Sequence, residues 1–171
     1  MTNLLLVTCV VVGVIGVLNV ILTLGLVGRV RVLQDVVQDG TFPDPDLPKR
    51  GAPVGAFAVT ASNGKALSDQ DLRADTTLVG FFTSGCTPCA NLRTELVRSP
   101  PALPFIAFVE GDHDDPEIHE MVQTLSRLGR VALTQTGDAV SRAFKPSGFP
   151  TLIRTENGAV AAAGHRLRQV L

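Results

Sequence analysis

The chain has 171 residues, with 15 lysines and arginines against 16 aspartates and glutamates and a formal net charge of −1. This length allows one domain plus an additional segment. The basic residues are scattered along the chain, and tryptophan and tyrosine are absent. The composition argues against nucleic acid as a partner, which would need a basic face, and against aromatic platforms that stack on bases or sugars.

Residues 1–28 are predicted to be a transmembrane anchor. No ionisable side chain occurs between Thr2 and Gly28, and residues 4–27 are almost wholly apolar. At about 1.5 Å per residue, a helix over this stretch would reach roughly 36 Å, more than the hydrocarbon thickness of about 30 Å. A cleaved signal peptide would need a basic n-region and a small-residue cleavage site, and the sequence has neither. We therefore expect an uncleaved, single-pass anchor in the cell membrane.

Residues 29–50 are predicted to form a juxtamembrane helix followed by a proline-rich linker. Apolar residues at 30, 33 and 37 follow helical spacing, and Gly40 ends the pattern. The prolines at 43, 45, 48 and 53 favour a semi-rigid, extended spacer. Arg29 and Arg31 directly follow the predicted span. By the positive-inside rule these two arginines weakly favour a cytoplasmic position for the rest of the chain.

Residues 51–171 are predicted to form one α/β domain. An Asn63-Gly64 turn indicates a hairpin between strands at 54–60 and 66–67, and Ser68 would begin a short helix at 69–73. Strands at 77–83, 105–109 and 131–133 then alternate with helices at 90–98, 114–128 and 138–144. A hairpin at 151–155 and 159–163 and a short helix at 165–171 follow. Because right-handed crossovers join parallel strands, we expect a mixed sheet with parallel central strands, an antiparallel edge and helices on both faces.

Two cysteines stand where strand 77–83 passes into helix 90–98, in the motif Gly85-Cys86-Thr87-Pro88-Cys89. The remaining cysteine, Cys9, lies in the apolar first segment. One such pair in a domain of this size indicates redox or metal chemistry rather than a disulfide scaffold. At a helix N-terminus, unpaired N–H groups and the helix dipole favour a thiolate on the first cysteine.

A second motif, Gly148-Phe149-Pro150-Thr151, directly precedes the closing hairpin. In this order and on these elements, the two motifs resemble the thioredoxin-like thiol–disulfide oxidoreductases. The predicted anchor, the proline-rich linker and the stretch Gly51-Ala52-Pro53-Val54-Gly55 are similar to the membrane-anchored TlpA and ResA group and to MauD-type proteins. The resemblance covers residue 51 to about residue 163 and implies a thioredoxin-like fold for this part of the chain.

The resemblance implies a mechanism for the cysteine pair. Cys86 would attack a client disulfide as a thiolate, and Cys89 would then attack Cys86 and release the reduced client. Pro150 would be the family's cis-proline, which faces the dithiol, and the backbone of Phe149 would pair with the client chain. Besides the redox-active Cys86–Cys89 disulfide, no cofactor and no metal is expected. The residues expected to bind the client are Thr87, Pro88, Phe149 and Thr151.

The resemblance also implies partners and a location. The client would be a dedicated protein disulfide outside the cytoplasm, and a tether would raise the effective concentration of the domain near it. A pair kept reduced there would need an electron donor, such as a DsbD- or CcdA-like membrane thiol carrier. This extracytoplasmic placement disagrees with the weak charge bias of Arg29 and Arg31. Whether the pair reduces or oxidises its client depends on a reduction potential that the sequence does not supply.

Three positions depart from the family pattern. Gly85 stands where tryptophan is usual, Gly80 where thioredoxins have a buried aspartate, and Leu92 where ResA-like proteins have a glutamate. These positions therefore offer no carboxylate to take the proton of Cys89. His113 is a candidate for that role.

Two other interpretations remain open. The stretch Thr83-Ser84-Gly85-Cys86 fits the T-x-x-C pattern of peroxiredoxins, although Gly80 replaces the proline expected there. In that case the protein would be a thiol peroxidase. The pair could also be half of a zinc site in a redox-inert adaptor, but zinc takes four ligands and the sequence has no second C-x-x-C.

Overall fold

The computed structural model describes residues 47–171, together with Gly13 and Gly16. Apart from those two glycines, the predicted anchor at 4–27 and the predicted juxtamembrane helix lie outside the described residues. In the part of the chain that the structure describes, no helix is both long and apolar enough to cross a membrane. The chain divides into two units, Met1–Pro43 and Asp44–Leu171, and the fold presented here is that of the second unit.

The domain begins with an antiparallel hairpin of strands β1 (Ala58–Thr60) and β2 (Ala66–Ser68), followed by a 3-10 turn at Asp69–Leu72. Strands and helices then alternate before a closing hairpin. In chain order these elements are β3 (Thr77–Thr83), α1 (Thr87–Arg98), β4 (Phe105–Glu110), α2 (Pro116–Leu125), β5 (Arg130–Thr134), α3 (Ala139–Phe144), β6 (Thr151–Glu156) and β7 (Ala159–Gly164). A last 3-10 turn spans Leu167–Gln169.

The main sheet has the strand order β5-β4-β3-β6-β7. Strands β3, β4 and β5 are parallel, and β6 and β7 are antiparallel to their neighbours. Asn157 and Gly158 turn the chain between β6 and β7 with φ values of 52° and 76°, the left-handed region that a tight hairpin turn requires. The predicted mixed sheet with parallel central strands, an antiparallel edge and flanking helices is confirmed.

Several predicted bounds change for local reasons. The first strand begins at Ala58 rather than at 54, and the preceding residues instead run along the sheet edge, where Gly51 N–H donates to the Val160 carbonyl at 2.7 Å. Helix α2 begins at Pro116 rather than at 114, because the Asp115 side chain caps it by accepting the Glu117 N–H at 2.8 Å. The predicted helix at 165–171 is reduced to the turn at Leu167–Gln169.

Two hydrophobic layers cover the two faces of the sheet. The dithiol layer lies beneath α1, α2 and the last 3-10 turn, and its buried members include Cys89, Leu92, Met121 and Val170. The phenylalanine layer lies on the opposite face, where four rings have neighbouring centroids 5.3–5.7 Å apart. Those rings belong to Phe57, Phe81, Phe108 and Phe144. The central strand β3 is therefore buried on both sides, which accounts for its continuously apolar sequence.

Candidate active site

Helix α1 begins at the cysteine pair. Gly85 has a φ of 66°, a left-handed conformation that favours glycine, and it turns the chain from the end of β3 into the helix. Cys86 is the N-cap residue, and its Sγ lies 3.2 Å from the N–H of Cys89 and accepts from it. Pro88 lies in the first turn, where a missing N–H leaves no hydrogen bond unmade. The local sequence thus places the Cys86 sulfur at the positive end of the helix dipole.

Cys86 and Cys89 form a disulfide, with their Cα atoms 5.2 Å apart. The environments of the two residues differ. Cys86 is half-buried, whereas Cys89 is 0% exposed and belongs to the dithiol layer. Cys86 is therefore partly accessible from solvent, whereas Cys89 is enclosed in the core.

The loop before β6 lies opposite the disulfide. The Phe149–Pro150 peptide bond is cis, and the Phe149 carbonyl oxygen lies 3.6 Å from Cys86 Sγ. A disulfide sulfur has no hydrogen, so this is a contact, and only the reduced thiol could donate to the carbonyl. Thr151 is fully buried, and its hydroxyl donates to the Gly148 carbonyl at 2.7 Å. The Thr151 side chain therefore holds the loop together from within.

The structure brings the two sequence motifs to one place. The Cys86 sulfur contacts the backbone of Phe149, and Cys89 lies beneath it. Thr87 and Pro88 are exposed on the first turn of α1, next to the disulfide. The residues predicted for the site thus lie in two segments that meet at Cys86 and Phe149, and among them Thr151 has a fully buried side chain.

Two acidic residues at the start of α2 contact the turn before Cys86. The Gly85 N–H donates to Glu117 Oε2 at 3.0 Å. The Ser84 hydroxyl donates to the Asp115 carboxylate, and this hydrogen bond is the main reason that the pKa of Asp115 lies below its usual value. The turn before α1 and the start of α2 are close because β3 and β4 are parallel. The chain therefore leaves both strands at the same end of the sheet. Neither contact is predicted by a motif in the sequence.

Apolar packing occupies two of the three departing positions, Gly80 and Leu92, which are those where the similar proteins have a carboxylate. A Cβ on Gly80 would lie 2.7 Å from Cε2 of Phe82, so the Phe82 ring fills the space that a carboxylate would need. Leu92 is 4% exposed and packs in the dithiol layer. His113, the candidate proton acceptor, lies on the surface with its Nδ1 3.5 Å from Nε2 of His119. Its ring therefore faces another histidine.

A different histidine contacts the loop of the candidate site. His165 follows β7, and its Nδ1 lies 2.7 Å from the Pro150 carbonyl oxygen. The same residue lines a pocket of about 410 Å³ between α1 and the C-terminal turn, together with Pro88, Leu92 and Glu95. His165 was not singled out from the sequence because a lone histidine near the end of a chain carries no local pattern.

A zinc site would need ligands in addition to the two cysteines. Across residues 47–171 there is no group of three or more histidine, cysteine, aspartate and glutamate side chains arranged to hold a metal ion. In this structure the two sulfurs are bonded to each other.

Known proteins resemble this chain at the level of structure. No model of a known protein family and no curated protein matches the sequence. The thioredoxin domain of a thiol-disulfide oxidoreductase from Bacteroides vulgatus matches at a TM-score of 0.58 and 18% identity, over 71% of this chain and 92% of that one. A thio-disulfide isomerase from Thermus thermophilus matches at 0.54 and 21%, over 67% and 84%. A DsbF homologue from Corynebacterium diphtheriae matches at 0.56 and 14%, over 73% and 87%.

Identities this low concern the fold alone. The domain itself has the strand order β5-β4-β3-β6-β7, a cis-proline before β6 and a disulfide at the junction of β3 and α1. The domain therefore has the fold of thioredoxin-like thiol–disulfide oxidoreductases and carries a Cys86–Cys89 disulfide at C-x-x-C spacing.

Proposed function

We propose that the protein is a thiol–disulfide oxidoreductase that acts on protein disulfides. The observation that carries this proposal is the asymmetry of the pair. Cys86 is reachable at the N-terminus of α1, whereas Cys89 is 0% exposed and bonded to it. One sulfur can attack an external disulfide, and the other can resolve the resulting mixed disulfide from inside the domain.

The reaction of the reduced protein balances without a cofactor. The Cys86 thiolate attacks one client sulfur and forms a mixed disulfide, while the other client sulfur leaves and takes up a proton. Cys89 then loses its proton, attacks Cys86 and expels the second client sulfur, which is protonated in turn. The client gains two electrons and two protons, and the protein ends as the Cys86–Cys89 disulfide. The Phe149 carbonyl, 3.6 Å from Cys86 Sγ, lies where a client backbone N–H could pair with it.

Within this function, we propose a reductase of the TlpA, ResA or MauD type, tethered through residues 4–27 with its domain outside the cytoplasm. The apolar first segment and the linker support the tether, and the similarity of both motifs supports the placement. A DsbD- or CcdA-like thiol carrier in the membrane would supply electrons. A fusion of the C-terminus to a reporter that is active only outside the cytoplasm tests the orientation. We expect an active reporter, and an inactive but stable fusion would overturn this placement.

The decisive assay is reduction of insulin disulfides by the full-length protein in mild detergent, with dithiothreitol as donor. Cys86→Ser is expected to abolish turnover, and Cys89→Ser is expected to accumulate a covalent complex with the client. Cys9→Ser is the matched control, because it removes the other cysteine of the sequence, and it is expected to leave turnover unchanged.

Other outcomes would point to the alternatives. Turnover that persists in Cys86→Ser would refute the proposal. Peroxide consumption that survives Cys89→Ser would favour a peroxiredoxin-like thiol peroxidase. Zinc bound stoichiometrically to an inactive protein would favour a metal-binding adaptor.

A further inference from the structure

The turn that leads into Cys86 is held by side chains from a different helix. Gly85 donates its N–H to Glu117 Oε2 at 3.0 Å, and the Ser84 hydroxyl lies close enough to the Asp115 carboxylate to lower the pKa of Asp115. Both acids belong to the start of α2, where Asp115 is the N-cap and Glu117 lies in the first turn. The residue directly before the reactive cysteine is therefore fixed by a carboxylate.

We propose that Glu117 is a positioning residue for the dithiol and that its negative charge favours the oxidised form of the Cys86–Cys89 pair. The protein would then donate electrons to its client rather than accept them. This inference rests on the proposed function, because it assigns the direction of the same reaction.

The two redox states of the Cys86–Cys89 pair differ in charge. A disulfide is neutral, whereas the reduced pair places negative charge on Cys86 whenever its thiol ionises. The helix N-terminus stabilises that thiolate. A carboxylate bonded to the neighbouring backbone N–H opposes it, which raises the free energy of the reduced form. Disulfide exchange with a client is then displaced toward reduced client and oxidised protein.

Three other charged residues on the neighbouring elements, Asp115, Arg93 and Glu110, each have a hydrogen-bond or ion-pair partner. On α2, the Asp115 side chain accepts the Glu117 N–H at 2.8 Å. The cation that α1 presents toward α2 is Arg93, which pairs with Glu120 at 3.3 Å. At the end of β4, Glu110 accepts the Thr136 hydroxyl at 2.7 Å. Glu117 is thus the charged side chain with a direct hydrogen bond to the residue before Cys86.

The test is the redox equilibrium of the full-length protein with glutathione buffers, measured by alkylation of free thiols. Glu117→Gln removes the charge but keeps an oxygen that can accept the Gly85 N–H. We expect it to shift the equilibrium toward the dithiol by a factor of about two to five, which corresponds to about 10–20 mV at 29.6 mV per tenfold. The thiolate absorbance of reduced Glu117→Gln is expected to appear at lower pH than that of the wild-type protein.

Two further variants separate charge from position. Glu117→Ala is expected to show the same shift and, in addition, slower exchange, because the Gly85 N–H loses its acceptor. Glu120→Gln is the matched control, since Glu120 lies on the same helix with the same charge but pairs with Arg93. It is expected to change the equilibrium less than twofold.

Three results would overturn the inference: an unchanged equilibrium in Glu117→Gln, a shift toward the disulfide, or an equal shift in Glu120→Gln. The glutathione measurement needs no protein client. If the wild-type protein fails to reduce insulin while Glu117→Gln still shifts the equilibrium, the proposed function fails and the electrostatic role of Glu117 stands.

Discussion

The Nδ1 atom of His165 lies 2.7 Å from the carbonyl oxygen of Pro150. A carbonyl oxygen only accepts hydrogen bonds, so Nδ1 is the donor of this bond and carries its hydrogen. The bond connects His165, the residue after β7, to the loop before β6. In that loop, the carbonyl oxygen of Phe149, the residue before Pro150, contacts Cys86 Sγ at 3.6 Å. The position of that loop opposite the disulfide therefore depends on a side chain 15 residues further along the chain.

We expect His165→Ala to slow disulfide exchange and to lower the free energy of unfolding by about 1 kcal/mol, because the Pro150 carbonyl loses its donor. His165→Asn can place an N–H near the position of Nδ1. It is expected to retain most of the rate of disulfide exchange and most of the free energy of unfolding. Urea unfolding and insulin reduction measure the two effects. Wild-type behaviour of His165→Ala in both assays would show that the loop does not depend on this bond.

The unequal exposure of the two cysteines predicts unequal alkylation. In the reduced, folded protein we expect iodoacetamide to modify Cys86, which is half-buried at the helix start, well before Cys89, which is 0% exposed. Mass spectrometry of the digested protein measures the label at each site. The control is the same reaction in denaturant, where both residues are expected to react alike. Equal labelling of the folded protein would contradict this picture of the site.

Gly80 is expected to tolerate no side chain. Its Cβ would lie 2.7 Å from the Phe82 ring and 3.3 Å from Leu152 Cδ2, so Gly80→Ala forces buried side chains to move. We expect a loss of about 1–3 kcal/mol in the free energy of unfolding, as is usual for overpacked cores. Gly148→Ala is the control, because a Cβ there meets nothing within 4 Å. Equal stability of the two variants would show that the Phe82 ring moves aside without cost.

A salt bridge on the other side of the domain predicts a pH dependence of stability. Asp71 Oδ1 lies 2.6 Å from an Arg130 nitrogen, and this hydrogen bond is the main reason that the pKa of Asp71 is lowered in the folded protein. Because the pKa of Asp71 is lower in the folded than in the unfolded protein, the ionised carboxylate stabilises the fold. This contribution is fully present above the pKa of about 3.9 in the unfolded protein, and it is lost as the pH falls through the pKa of the folded protein.

We therefore expect Asp71→Asn to be less stable than the wild-type protein at pH 7, with a difference that shrinks as the pH falls below about 4. Urea unfolding at several pH values measures it. Asp69→Asn serves as the control, because its partner Arg73 is 70% exposed and such pairs contribute little. A difference between Asp71→Asn and wild type that is independent of pH would contradict the assignment to ionisation.

The fold could be predicted because its signals are local. Apolar runs such as 77–83 and 105–109 indicate buried strands, and the Asn157-Gly158 turn indicates a hairpin. The meeting of the C-x-x-C start of α1 with the Pro150 loop came from the resemblance of two motifs, and the contact between Cys86 and Phe149 agrees with it. The bounds of the first strand were less predictable, because the residues near 51 bond to β7, which comes much later in the chain.

The polar surroundings of the dithiol could not be predicted from the same signals. Glu117 lies in the predicted helix at 114–128 but was not predicted to contact the site. Its contact with Gly85 arises because α1 and α2 begin next to each other, at the carboxyl ends of β3 and β4. The parallel order of β3 and β4 was in fact predicted, so following both strands to their carboxyl ends would have brought Glu117 near Cys86. His165 had no comparable signal, because its partner is a backbone carbonyl.

Phe149 packs against both hydrophobic layers of the domain, and it also supplies the carbonyl that faces Cys86. A substitution in the phenylalanine layer, on the face remote from the disulfide, can therefore displace the backbone that a client would meet. Selection for faster or slower turnover is expected to recover changes around Phe57 and Phe144 as well as around the cysteines. In this domain, substitutions on either face of the sheet can therefore change the rate of the reaction at the disulfide.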